Sequence, residues 1–269
     1  MSVSFIQSGR FGNNFFQYLA AKVIGKYSNK TYVYKTNYNY KITDKTYIEL
    51  YNDLKEGRKT INENITLEGY FIFIDWLKYE KEFILSLMTL DNFDKINDNV
   101  TVNNVVSNIL KLDESLISLL KNPVNLVVHL RLDDFYHQGY NSEVICPRYL
   151  SKYINTLNFQ KIIFVVDALK EDWEKNYINI ILKEIPNSVI VSNTFLEDFS
   201  ALYYSHNLMV ARSTFGWVAC VISPHNIKNF FPLHNNQFPS NIDEIYPYID
   251  DNTVVFTPEY LKNNGGRNY

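Results

Sequence analysis

Between residues 124 and 223, short β-branched apolar runs alternate with stretches of helical spacing, and this alternation constrains the fold more than any other feature. "VNLVVHLRL" (124–132) is a continuous apolar strand, the pattern of a strand buried on both faces inside a parallel sheet. "PRYLSKYINTL" follows as a helix with Pro147 in its first turn, where the missing amide proton costs little. "KIIFVVD", "SVIVSN" and "NLMVAR" read as further strands. "KEDWEKNYINIILKEI", "LEDFSALYYSH" and "STFGWVACVIS" read as the helices between and after them, the last ended by Pro224. "IKNFFP" closes the series as a strand. Such a pattern predicts a doubly wound α/β unit.

A second unit of the same kind precedes it. "VSFIQ" (3–7) reads as a strand and "NNFFQYLAAKVIGKYS" as a helix with Phe16, Leu19, Ala20 and Val23 on one face. "TYVYK" (31–35) is again a strand, so the chain opens β-α-β. Residues 36–66 read as polar and irregular, apart from a helix around "TYIELYNDLKEG". "ITLEGYFIFIDWLKYEKEFILSLM" gives a strand at Ile65–Leu67, an aromatic turn and an amphipathic helix, and "ESLISLLKN" another helix. The turn signal at Asn122-Pro123 divides the chain into expected domains of residues 1–122 and 123–269.

Composition excludes several function classes. A net charge of −3 and a pI near 6.0 argue against broad binding to nucleic acid or an anionic membrane. No window approaches the roughly 18 uninterrupted apolar residues of a membrane span, and the first residues lack a signal-peptide pattern. The expected location is cytoplasmic, without a transmembrane segment. Cys146 and Cys220 stand far apart in apolar surroundings and read as small buried hydrophobes. His137, His206, His225 and His234 are scattered, so no zinc site is expected. The 21 Tyr and 18 Phe fit either codon bias or a carbohydrate-binding surface.

Three stretches could carry chemistry. In "VVHLRLDDF", His129, Arg131 and Asp133 alternate at the end of a strand, where open α/β sheets bind ligands. A forked guanidinium there suits a phosphate. Equally, Arg131 could pair with Asp133 or Asp134 while His129 is a satisfied buried imidazole. In "NLMVARSTFGW", Ser213 and Thr214 stand at a helix N-terminus beside Arg212; the pair serves as an ordinary cap or as an anion site. In "LEDFSALYYSH", Asp198 either caps its helix or accepts hydrogen bonds from a donor-rich base edge such as guanine. Asp167, ending "IIFVVD", is a further strand-end carboxylate. The opening "GRFGNNFFQYLAAK" is a glycine corner, not a dinucleotide fingerprint.

In their order along the chain these stretches resemble the motifs of α-1,2-fucosyltransferases of glycosyltransferase family eleven. "GRFGNNFFQYLAA" resembles their G-x-G-N-x-x-F-Q-Y and "LEGYF" (67–71) their L-x-G-Y-F-Q. "HLRLDDF" resembles H-x-R-R-x-D-Y, "FVVD" with Trp173 the F-S-D-D…W segment, and "DFSALYYSHNLMVARSTFGWVACVIS" the D-L-x-x-M…N-S-T-F-S-W-W-x-A stretch. The resemblance implies a GT-B architecture of two Rossmann-like domains facing a cleft, the first on the acceptor side and the second holding the nucleotide sugar. It implies inverting, metal-independent transfer of fucose from GDP-fucose to a hydroxyl of a glycan acceptor, with no cofactor besides that donor.

Carried across, Arg131 would hold the donor's β-phosphate and help GDP depart. His129 and Asp198 would meet the guanosine half. Ser213, Thr214 and the amide of Phe215 would cradle phosphate, with Gly12, Asn13 and Asp167 as further donor contacts. Asp134 and Glu143 are the candidate general bases, Asp134 having a loop-capping role as its alternative. Leu132 replaces the second arginine of the motif, Gly216 and Val218 replace a Ser and a Trp, and Ile72 replaces a Gln. These departures leave open transfer from another nucleotide sugar, or a non-catalytic relative that binds carbohydrate or nucleotide sugar.

Overall fold

The structure, a computed structural model, describes residues 1–33, 40–71, 80–87, 112–132, 147–192, 194–210, 213–225, 228–231 and 253–255. The chain divides into two compact units, Met1–Val106 with Asp243–Tyr248, and Ser107–Ile242 with Ile249–Tyr269. The expected division at 122/123 falls later, after the helix Glu114–Lys121. That helix packs on strand Asn125–Leu130 and helix Phe195–Tyr204, which draws it into the second unit.

The first unit holds a four-stranded sheet ordered β2-β1-β4-β3, every pair parallel. Its strands are β1 (Ser2–Phe5), β2 (Thr31–Tyr32), β3 (Tyr40–Thr43) and β4 (Ile65–Glu68). Helix α1 (Phe11–Ser28) starts two residues before the expected Asn13 and buries Phe16, Leu19, Ala20 and Val23 completely. Gly12 therefore lies inside the first helical turn, and only Gly9 of the opening pair takes a left-handed conformation, φ 74°. Strand β3 corrects the expectation of irregular chain there. It lies at the sheet edge with Ile42 as its one buried residue, so its sequence lacks an apolar run.

Helices α2 (Asp44–Lys55) and α3 (Lys81–Leu87) complete this unit among the described residues. A buried carboxylate ties them together. Glu80 accepts from Tyr27 (2.5 Å), Tyr51 (2.8 Å) and Lys26 (2.8 Å), with Lys55 at 3.4 Å. Burial pushes its carboxyl up, but the bonds from Lys26, Tyr27 and Tyr51 outweigh that and hold it below its ordinary value.

The second unit holds a six-stranded sheet ordered β10-β9-β8-β5-β6-β7, again parallel throughout. The strands are β5 (Asn125–Leu130), β6 (Lys161–Val166), β7 (Ser188–Val191), β8 (Asn207–Met209), β9 (Lys228–Phe231) and β10 (Thr253–Val255). The helices are α4 (Glu114–Lys121), α5 (Pro147–Thr156), α6 (Asp172–Glu184), α7 (Phe195–Tyr204) and α8 (Thr214–Ile222). All the elements expected from 124 to 231 are present; β10 was not expected.

Every residue of β5 is buried. Leu126, Val128 and Leu130 pack with Ile162, Phe164 and Val166 of β6 and with Ile154, Tyr177 and Ile181 of the helices. Each such side chain contributes about 1.5–3 kcal/mol. At the other end of the sheet, buried Asn207 donates to the carbonyls of Pro123 (2.9 Å) and Asn125 (2.8 Å), fixing β8 beside β5.

This strand order has a functional consequence. The chain runs from β5 outward to β6 and β7, then returns to β8 on the opposite side of β5 and continues to β9. The carboxyl ends of β5 and β8 thus flank a topological switch point, where a crevice opens because successive connections leave in opposite directions. In the first unit, β1 and β4 lie side by side at the centre of the sheet, with β2 and β3 outside them.

Candidate functional site

At the β5/β8 switch point the structure gathers His129, Arg131, Ser213, Phe215 and Gly216. His129 is the fifth residue of β5, and Arg131 follows the strand directly. Past β8, Val210 leads to Ser213, which occupies the N-cap position of α8. The expected cap bond is absent: the hydroxyl receives no backbone amide. It is 7 % exposed, and its oxygen has no hydrogen-bond partner. A buried hydroxyl without a partner costs roughly 1–3 kcal/mol.

His129 is in the same position. It is 8 % exposed, and Nδ1 has no hydrogen-bond partner. Burial, helped by the charge of Arg131, pushes its pKa down to about 3. The imidazole is therefore neutral, with one nitrogen a donor and the other an acceptor. It suits a polar uncharged group better than a phosphate. Of the two alternatives for His129, the satisfied imidazole does not hold at Nδ1, which lies against Gly216 and makes no bond.

Gly216 explains how the ring reaches this place. A Cβ there would lie 2.5 Å from Val210 Cγ1 and 2.7 Å from His129 Nδ1. The first turn of α8 is thus packed directly onto the imidazole. Phe215 lies against the same ring at 5.6 Å, and Phe195 and Phe199 of α7 flank Phe215 at 5.5 and 5.3 Å.

An anion meets three favourable features here. The intrahelical bonds of α8 begin with Trp217 N–H to Ser213 O (3.0 Å), so the preceding amides lie at the positive end of the helix dipole. No acidic residue occupies that turn. Arg131 adds a permanent charge.

Asp198 does not cap α7. Thr194 takes that role, its hydroxyl accepting from the Glu197 amide while Glu197 returns a bond to the Thr194 amide (2.9 Å). Asp198 is instead a buried carboxylate one residue before Phe199. Asp167 follows β6 and is exposed, on the neighbouring strand. Thr214 and Phe215, half-buried, form the first turn of α8. Asp133, Asp134, Glu143, Cys146 and Arg212 lie outside the described residues, as does the side chain of Cys220. Leu132, in place of an arginine, is buried in the core under β5.

Gly12 and Asn13 belong to the first unit, at the start of α1. Gln17 of α1 donates to the carbonyls of Ile6 (3.0 Å) and Gly69 (2.6 Å) and accepts from the Ser8 amide (3.3 Å). One side chain so joins the loops leaving β1 and β4. Asp44, first residue of α2, accepts from the amides of Tyr70 (3.1 Å) and Phe71 (2.8 Å). Neither Gln17, Asp44 nor Gly216 was singled out from sequence as a positioning residue. Only the unexpected glycine at 216 offered a signal.

Among the described residues, no group of three His, Cys, Asp or Glu could hold a metal ion, and no helix is long and apolar enough to cross a membrane.

The sequence matches no protein-family model and no curated protein. The structure is similar to that of an Arabidopsis thaliana FUT1 mutant in complex with GDP, at 11 % identity and a TM-score of 0.53, over 86 % of this chain and 70 % of that one. It also resembles E. coli heptosyltransferase WaaC with ADP, at 8 % identity and a TM-score of 0.47, over 98 % of each chain. The fold is that of the GT-B glycosyltransferases, two Rossmann-like α/β units.

Proposed function

We propose that the protein is an inverting glycosyltransferase that moves fucose from GDP-fucose to a hydroxyl of a glycan acceptor. The observation that carries this reading is the buried, unpartnered Ser213 hydroxyl at the start of α8, a helix whose first turn packs on the neutral His129 at the β5/β8 switch point. The GDP held by the FUT1 neighbour supports the choice of nucleotide.

In this reading the second unit, Ser107–Ile242 with Ile249–Tyr269, holds the donor and the first unit binds the acceptor. The diphosphate lies at the N-terminus of α8, against the Ser213 hydroxyl, Thr214 and the Phe215 amide. The neutral His129 meets the uncharged guanosine half, and the Asp198 carboxylate accepts from guanine N–H groups. Asp167, at the end of the neighbouring strand of the same sheet, adds a contact to the donor.

The acceptor oxygen attacks the anomeric carbon from the face opposite the diphosphate. The new C–O bond forms as the bond to the β-phosphate oxygen breaks, and the electron pair leaves with GDP. Arg131 and the helix dipole stabilise the charge developing on that oxygen, which is the largest catalytic term available here. The acceptor proton passes to Asp134 or Glu143. Inversion at carbon follows from the back-side attack.

The buried Leu132, which leaves one cation fewer beside the phosphates, favours a second reading: another GDP-sugar as donor. Calorimetric titration with GDP, UDP and ADP, followed by a donor screen read by product mass, separates the readings. GDP preference with a deoxyhexose increment supports fucose, and a hexose increment supports the second reading. Absence of GDP binding refutes both. Transfer is expected to survive a chelator.

A further inference from the structure

We propose that Tyr70 is a stacking platform for a pyranose ring, forming a carbohydrate subsite at the carboxyl ends of β1 and β4 in the first unit. The inference rests on the glycosyltransferase reading for its identification of that sugar as acceptor.

Tyr70 stands at the carboxyl end of β4, two residues past Glu68, and is 45 % exposed. Exposed tyrosines are common, but this one is held in place from several directions. Asp44 accepts its amide and that of Phe71, and Gln17 donates to the carbonyl of Gly69 just before it. The backbone is contorted on both sides, with φ 157° at Gly69 and 55° at Phe71. For Phe71 a left-handed conformation is strained and persists only where the surroundings impose it. Phe71 is imposed upon: its ring is fully buried, packed 5.2 Å from Tyr47.

The ring of Tyr70 is positioned by the opening motif. A Cβ on Gly9 would lie 3.0 Å from Tyr70 Cε1 and 2.2 Å from Asn13 Nδ2. The glycine lets the tyrosine ring and the Asn13 amide close on the same turn. Asn14, next in α1, keeps its buried side-chain oxygen without a hydrogen-bond partner. "GRFG" and "LEGYF" are therefore two walls of one feature: a rigid, partly open aromatic face beside side-chain amides. Sugar rings are recognised by that pairing, since their C–H faces lie on aromatic rings and their hydroxyls bond to amides. Asp44, the charged side chain among these contacts, is engaged by the Tyr70 and Phe71 amides, and the protein's overall acidity disfavours a nucleic acid.

Wild type, Tyr70→Ala and Tyr70→Phe are compared on an array of pyranose-terminated glycans and by GDP calorimetry. Tyr70→Ala is expected to lose binding to the glycans that wild type retains by roughly tenfold or more, while Tyr70→Phe keeps it. GDP affinity is expected to be equal in all three. Circular dichroism confirms the fold, and because the side chain is half exposed the alanine variant should remain folded. Equal glycan binding by Tyr70→Ala overturns the subsite, as does a wild type that binds GDP but no glycan. Glycan binding that depends on Tyr70 in a protein indifferent to GDP would uphold the platform and refute the transferase reading.

Discussion

Replacing Ser213 by alanine should move stability and ligand affinity in opposite directions. An ordinary N-cap serine contributes about 0.5–2 kcal/mol, and its loss destabilises the helix by that amount. Ser213 makes no cap bond, so that term is absent. What remains is a buried hydroxyl oxygen without a partner, whose removal relieves a desolvation cost of roughly 1–3 kcal/mol. The lost methyl-sized packing is nil, because alanine keeps the Cβ. Ser213→Ala should therefore unfold at an equal or higher urea midpoint than wild type in the absence of nucleotide. With GDP, it should lose one hydrogen bond to a charged phosphate, about 1.5–3 kcal/mol, or roughly tenfold or more in Kd. Urea titrations with and without GDP, joined to calorimetry, read both effects. A ligand-free variant destabilised by about 1 kcal/mol would show that the hydroxyl is a cap, and unchanged GDP affinity would remove it from the donor site.

Arg131→Ala should bind GDP weakly and lose transfer, at a cost of about 2.7–4 kcal/mol in kcat by analogy with losing an oxyanion donor, measured by steady-state kinetics. Gly216→Ala gains up to about 1 kcal/mol of helix propensity but forces its Cβ onto Val210 and His129. Since such overpacking costs about 1–3 kcal/mol, thermal stability should fall and GDP affinity with it. Glu80→Gln removes the charge that receives Tyr27 and Tyr51, each bond being worth about 1.5–3 kcal/mol; Lys26 and Lys55 are too exposed to add much. Because the carboxyl of Glu80 lies below its ordinary 4.5, its contribution is complete above that pH and is lost as pH falls through the folded value. Acid titration of wild type against Glu80→Gln should show the difference vanish at low pH.

Much of this fold can be read from single elements of the sequence. β5 and β6 are legible because a strand covered on both faces must be apolar throughout, and few other structures demand that. β3 is not legible, since an edge strand with one buried side chain has no such demand. His129 and Arg131 could be placed because a strand's end is predictable and ligands gather there. The cap of α7 is also written in the chain, in the T-x-x-E pattern of Thr194 and Glu197 and not in Asp198. Gly216, Gln17 and Asp44 act across long separations in sequence. Their roles depend on which loops meet, and no local pattern encodes that.

The depressed pKa of His129 has a consequence for how the protein responds to acid. A histidine that ordinarily titrates at 6.5 takes up a proton in the unfolded chain at mildly acidic pH, while the buried one stays uncharged down to about 3. The unfolded state therefore binds more protons across that interval, and protons drive unfolding. The stabilising contribution is complete above 6.5 and drains away as pH falls toward 3. The second unit thus carries an acid sensitivity of its own, separate from that of Glu80.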